Sequence, residues 1–296
     1  MFPFISPTQL QQQLSEDFLI FETGTNTVDR YRAGHIPHAR YLDTNLLELP
    51  PAWNHLPDMA LAKALARAGI THTQKIVLYA RDTTAAARVA LILHYAGVQD
   101  VRVLDGGLST WIAAGYPLET EENPPEPVLT FGIRVPARAE VFVDIHQVKQ
   151  RLGDENSVVV GVRSWAEHIG ETSGYDFIPA KGRIPGSVWG GGGRDKDGME
   201  DFHTPDGTLR LREEIAARWR KAGITPDKNI TFYCGTGWRA SEAFWIAKAM
   251  DFPKISVYDG GWLEWSSDPQ NPIETSSGNQ ANQQTNQQTS SPFTST

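Results

Sequence analysis

The sequence predicts an α/β protein of two tandem domains, each a mainly parallel sheet flanked by helices. Short β-branched runs alternate with longer helical patterns, and such alternation builds parallel sheets covered on both faces. The chain also repeats itself. Residues 68–111 and 222–265 align without a gap at an offset of 154, with 13 of 44 positions identical, a unit far longer than a solenoid repeat. Finally, 296 residues, 40% hydrophobic and 21% charged, are enough for two ordinary cores.

The elements follow in order. "GHIPHARYL" from Gly34 has a counterpart in "GRIPGSVW" from Gly182, so the duplication extends upstream of the aligned block. "KIVLYARDTTAAARVA" in the first half matches "NITFYCGTGWRASEAF" in the second. In the second half Val158–Val160, Ile230–Tyr233 and Ile255–Tyr258 read as strands, and residues 212–222 and 240–250 as helices. Ala243, Ile246, Ala247 and Met250 fall at helical spacing and make one apolar face. "DGG" closes the last strand of each half as a turn, and Trp111 and Trp265 follow it at equal spacing as core anchors. The Pro- and Glu-rich start of 118–138 reads as a connector. After Ile273 the chain is almost devoid of apolar residues and reads as a disordered tail with no catalytic role. The expected organisation is a domain over 1–120, a linker over 121–138, a domain over 139–274 and a low-complexity tail over 275–296.

The bulk properties exclude several function classes. A net charge of −8 argues against a general nucleic-acid or anionic-membrane binder. One cysteine forms neither an intramolecular disulfide nor a cysteine-based zinc site. The first residues lack a basic segment followed by an apolar one, and no run approaches the roughly 20 apolar residues of a membrane span. The expectation is a cytoplasmic protein, monomeric, with no metal and no organic cofactor.

The single cysteine, Cys234, ends a strand and precedes Gly235-Thr236-Gly237-Trp238-Arg239 and a helix from about Ala240. Parallel α/β sheets bind ligands beyond the carboxyl ends of their strands. Glycines let the backbone curl so that several N–H groups point at one spot, and the helix adds its positive end. The reading is a nucleophilic thiolate in an anion-binding cradle, with Arg239 as a nearby fixed charge. A lone cysteine at a strand end is more often a small buried hydrophobe. The first half weighs against that: its matching position is Ala80, in the loop "ARDTTA". The fold therefore needs neither the cysteine nor the glycines, and the pair reads as one inactive and one active copy.

On the "GHIPHA" and "GRIPGS" elements, the "YCGTGWRAS" loop, the "DGGW" element and this asymmetry, the ordered chain resembles the tandem-domain rhodanese-type sulfurtransferases. The resemblance implies that Cys234 takes a sulfane sulfur from a small anionic donor, thiosulfate or 3-mercaptopyruvate, as a persulfide. The sulfur would pass to a thiol such as thioredoxin or glutathione, or to cyanide. Gly235, Thr236, Gly237, Trp238, Arg239 and Ala240 would form the cradle. Cys-Gly-Thr-Gly resembles the mercaptopyruvate subfamily, which implies a proton relay of Asp43, His55 and Thr236 across the domain cleft.

The sequence departs from that subfamily. Arg163 remains of the expected substrate-binding arginines, but Glu167 stands where another would fall, and Lys181, Arg183 or Arg239 are the available substitutes. Trp238-Arg239 replaces the usual Val-Thr. Gly161 stands where an Asp is usual. A thiosulfate enzyme is equally compatible with these features. Two rivals come from other classes. A rhodanese-fold phosphatase uses a Cys-x5-Arg loop, one residue longer than the spacing from Cys234 to Arg239. A non-catalytic sulfur-carrier or binding module is the other.

Overall fold

The computed structural model describes residues 3–14, 18–81 and 83–275, so all but the first residue of the predicted tail lies outside the described residues. The first unit runs β1 (Phe4–Ile5), α1 (Pro7–Gln13), β2 (Phe18–Gly24), α2 (Val28–Arg32), β3 (Arg40–Asp43), β4 (Glu48–Leu49), β5 (Asn54–His55), α3 (Asp58–Arg67), β6 (Lys75–Ala80), α4 (Thr83–Ala96), β7 (Asp100–Leu104) and α5 (Gly107–Ala113). The second runs β8 (Phe142–Val143), α6 (Ile145–Leu152), β9 (Ser157–Gly161), α7 (Trp165–Ile169), β10 (Val188–Trp189), α8 (Arg212–Lys221), β11 (Asn229–Tyr233), α9 (Trp238–Ala249), β12 (Ile255–Tyr258) and α10 (Gly261–Ser267).

Each unit holds a parallel five-stranded sheet. The strand orders, β1-β7-β6-β2-β3 and β8-β12-β11-β9-β10, are the same. Even the register repeats: Ile76 pairs with Val101 and Ile230 with Ile255, both shifted by the sequence offset. The α/β reading and the duplication are therefore correct. After Lys75 every residue of β6 is buried, as a parallel strand covered on both faces requires. Local signals set the helix starts: Ser6, Asp144 and Ser164 cap α1, α6 and α7 in capping boxes with Gln9, Gln147 and Glu167, each worth about 1 kcal/mol. Trp111 and Trp265 are buried and donate their indole N–H to Pro117 and Pro272 carbonyls.

The inner faces of both sheets share one core, while the outer faces carry separate clusters. Helices α4 and α9 meet in the shared core, where the Trp245 indole donates to the Ala87 carbonyl at 3.1 Å. This contact explains why α9 is buried from Arg239 to Ala247 rather than along one stripe: it faces its own sheet and its counterpart at once. The segment 121–138 lies along the first unit. Val128 N–H donates to Ala66, Phe131 is buried, and its carbonyl accepts from His72.

The interface is pseudo-symmetric. Asp105 of the first "DGG" accepts the backbone N–H of Leu209 at 2.9 Å, and Asp259 of the second accepts that of His55 at 3.0 Å. His55 and Leu209 are themselves related by the offset of the repeat. Arg88 and Glu242 are also related, with opposite charge. Arg88 pairs with Glu48 at 2.5 Å and Asp259 at 2.7 Å, and Glu242 pairs with His203 at 2.5 Å.

Candidate active site

Cys234 lies at the carboxyl end of β11 and is buried. Its loop is shaped by α10. Trp262 N–H donates to the Cys234 carbonyl at 2.8 Å and Leu263 N–H to the Gly235 carbonyl at 3.0 Å. A trans peptide sets its N–H opposite its C=O, so the amides of Gly235 and Thr236 are turned away from α10. The amides of Gly235 through Ala240 donate to no acceptor among the described residues. The result is a run of free donors that directly follows the cysteine, at the start of α9, where the helix end adds positive potential.

Glycine is required where the backbone is tightest. Gly237 precedes α9 at φ 86°. A Cβ on Gly235 would lie 2.3 Å from the Tyr175 ring, and one on Gly261 2.6 Å from the Gly235 carbonyl oxygen. In the first unit Gly107 meets the Ala80 carbonyl in the same way, at 2.5 Å. There Arg81, at the position of Gly235, carries a long charged side chain. It bonds Glu22 at 3.0 Å and the Gly34 carbonyl at 2.8 Å.

Beneath Cys234 sits a buried charge cluster. Arg239 is anchored on a carboxylate while lying close enough to Cys234 to interact with it electrostatically. Its two terminal nitrogens bond the two Glu167 oxygens at 2.9 Å each, and also the Tyr175 hydroxyl at 2.8 Å and the Asp195 carbonyl at 3.1 Å. Arg163 adds a 3.3 Å bond to Glu167 and donates to the Gly182 and Ser173 carbonyls. Burial alone would raise the Glu167 carboxyl, but Arg239 and Arg163 outweigh it and hold it at about 2. Burial likewise pushes the Tyr175 phenol up to about 12, against the pull of Arg239. Two guanidinium groups against one carboxylate leave the cluster net positive, which favours an anion in the loop.

Several expected site residues have other duties. Arg163 and Arg183 are buried, and Arg183 is bound to the His168 carbonyl and to Glu274. Lys181 is exposed and reaches the Glu171 carbonyl at 3.1 Å. Arg163 and Arg183 present no free charge to a substrate, because carboxylates and backbone carbonyls take up their donors, whereas Lys181 spends one of its three donors on a carbonyl and keeps its charge in solvent. The relay residues are not joined. Asp43 caps the turn after β3, accepting from Asn45 and Asn26 amides and the Tyr41 hydroxyl. The His55 ring bonds the Leu56 carbonyl at 2.8 Å and stands 4.0 Å from Asp259. Neither side chain bonds Thr236. At Gly161 the space for an acidic side chain is taken by the Tyr233 ring, whose hydroxyl a Cβ there would meet at 3.2 Å.

Aromatic side chains from both domains lie beside the loop, starting from Tyr175 against Gly235. Trp53 stacks obliquely on Phe177 at 4.9 Å between centroids, and Phe177 on Tyr175 at 5.4 Å. The Trp238 indole crosses to Glu48 of the first unit. Tyr175, Glu48 and Arg88 carry no local motif. A usable signal did exist for Arg88, which aligns with Glu242 as an apolar-flanked charge in two helices of otherwise similar character.

Comparison with known families matches the rhodanese-like domain twice, over residues 6–114 and 144–268. The chain is 48% identical over 262 residues to the thiosulfate sulfurtransferase YnjE of Escherichia coli (strain K12), spanning 88% of this chain and 60% of that protein's length. It is 32% identical over 287 residues to a thiosulfate sulfurtransferase of Azotobacter vinelandii, spanning 91% and 96%. The wild-type structure of EanB superposes with a TM-score of 0.90 at 41% identity, covering 92% of this chain and 69% of that one. Another EanB structure holds a cysteine persulfide in a tetrahedral intermediate state with ergothioneine. A tyrosine and a threonine replaced in EanB variants stand at the same separations from that cysteine as Tyr175 and Thr236 from Cys234.

Proposed function

Because the chain belongs to the rhodanese-like domain family and carries two copies of the domain, we propose that it is a sulfurtransferase acting through Cys234 of the second copy. The observation that carries this reading is the set of unused amides from Gly235 to Ala240, directly after the cysteine. In the proposed first step the Cys234 thiolate attacks the outer sulfur of an anionic donor such as thiosulfate. A new S–S bond forms, the donor's own S–S bond breaks, and sulfite leaves with the electron pair. The persulfide's terminal sulfur carries the negative charge, and the loop amides hold it as an oxyanion hole holds oxygen. An acceptor nucleophile then takes that sulfur, and the cysteine thiolate is regenerated. The commitment of both Arg239 terminal nitrogens to Glu167 argues against phosphate as the cargo, because that guanidinium is already neutralised by a carboxylate.

The donor is thiosulfate or 3-mercaptopyruvate. With Arg163 and Arg183 both committed to carboxylates and backbone carbonyls, thiosulfate is the better fit. A second reading concerns the acceptor. The aromatic row of Trp53, Phe177 and Tyr175 beside the loop, with the EanB-like spacing of Tyr175 and Thr236, favours an aromatic heterocycle over a small thiol or cyanide. Single-turnover transfer from the loaded enzyme to cyanide, glutathione and trimethyl histidine would separate these acceptors. Cys234→Ser is expected to abolish all transfer with little loss of stability; retained transfer would remove the cysteine from the chemistry.

A further inference from the structure

We propose that Glu48 and Arg88 are positioning residues, through which the first domain holds the loop of the second in register. The inference rests on the sulfur-transfer reading above. Both side chains are buried, at 1% and 0% exposure. The two Glu48 oxygens share the indole N–H of Trp238 at 3.2 and 3.1 Å. Arg88 bonds Glu48 through Nε, and through Nη2 it reaches Asp259 and the Trp53 carbonyl at 3.0 Å. Its remaining nitrogen, Nη1, has no hydrogen-bond partner among the described residues. That atom lies 3.0 Å from where a Cβ on Gly237 would stand.

Gly237 and Trp238 are the last loop residue and the first residue of α9. Both are therefore fixed from the other domain, one by contact and one by a hydrogen bond. Cradle amides work only within about 2.7–3.1 Å of the charge they hold, so a small rotation at this junction moves several donors together. The inactive copy thus has a task in the reaction: it supplies a rigid wall for the loop it no longer possesses itself. The pseudo-symmetric pair His203–Glu242 is an interface ion pair of the same kind, but it adjoins the copy without a nucleophile. It serves as an internal control for a merely structural role.

The test compares Glu48→Gln, Trp238→Phe, their double variant and His203→Gln. Sulfur transfer from thiosulfate to cyanide gives kcat and KM, and iodoacetamide alkylation of Cys234 reads loop geometry without turnover. Glu48→Gln and Trp238→Phe are each expected to lower kcat about tenfold, with KM within about twofold. The double variant should be no worse than the poorer single, because both act through one bond. His203→Gln should lower thermal stability while leaving kcat within about twofold. Equal kcat losses in His203→Gln and Glu48→Gln, multiplying effects in the double, or wild-type kcat in both single variants would each overturn the proposal. If Glu48→Gln does not fold, the half-buried Trp238→Phe carries the test alone. If the wild type transfers no sulfur, the functional reading fails. The alkylation arm still decides positioning: a rate altered at least about threefold in Glu48→Gln but not in His203→Gln supports it, and unaltered rates in both refute it.

Discussion

Glu167 concentrates the physics of the site in one side chain. It accepts from two arginines and from the Ser164 amide while fully buried. Removing its charge leaves two buried guanidinium groups without a counter-ion, and breaking a buried pair costs about 3–5 kcal/mol. Glu167→Gln is therefore expected to lower the midpoint of urea unfolding by that equivalent; a change under about 1 kcal/mol would contradict the role. The sign in pH follows from the direction of the shift. The folded carboxyl sits at about 2, below its ordinary value of 4.5, so its contribution is complete above about 4.5 and is lost as pH falls toward 2. Acid unfolding of Glu167→Gln should show a shallower slope across that window. The sequence displayed this residue only as a missing arginine. Its partner Arg239 lies 72 positions away, and no local pattern announces a contact at that separation.

At the scale of elements, the cradle is made by α10 as much as by the loop itself. The "DGG" turn was legible as punctuation. That its second glycine must exist because the Cys234 and Gly235 carbonyls come to within 2.8 and 2.6 Å of a Cβ there was not. Gly261 has φ 55° and Gly107 φ 63°, so alanine at either position strains the backbone by about 1–3 kcal/mol. Gly261→Ala should also displace the cradle and lower transfer by more than about tenfold, whereas Gly107→Ala should cost comparable stability and leave transfer unchanged. Melting curves and initial rates for the two variants check this; equal losses of activity would contradict it. Strands and helices themselves were readable, with Ile255–Tyr258 matched to the residue and α9 within two residues at its start. Periodicity carries that information. It does not carry side-chain direction, which is why Arg163 and Arg183 look available for a substrate in the sequence while the fold commits them elsewhere.

The whole molecule is a duplicated domain closed on itself through pseudo-equivalent contacts. The duplication was plain in the sequence, because the offset survives as strand register. The interface was not, because it pairs residues such as Asp259 and His55 that lie 204 positions apart. His203 gives this level its test. Burial would lower its pKa, but Glu242 and the Gly207 carbonyl outweigh burial and raise it to about 9, from 6.5. The protonated ring is the stabilising form, so its contribution is full below about 6.5 and lost as pH rises through about 9, on the order of 3 kcal/mol. Thermal stability should fall across that interval in the wild type and stay nearly flat in His203→Gln. An identical slope in both would contradict the assignment.

The central claim is that the free amides directly after Cys234 hold a persulfide. The intact mass of the protein after incubation with thiosulfate tests it most directly. A gain of one sulfur atom, localised to Cys234 and lost on adding cyanide, is the predicted result. No gain with thiosulfate or with 3-mercaptopyruvate, or a gain that persists in Cys234→Ser, would contradict it.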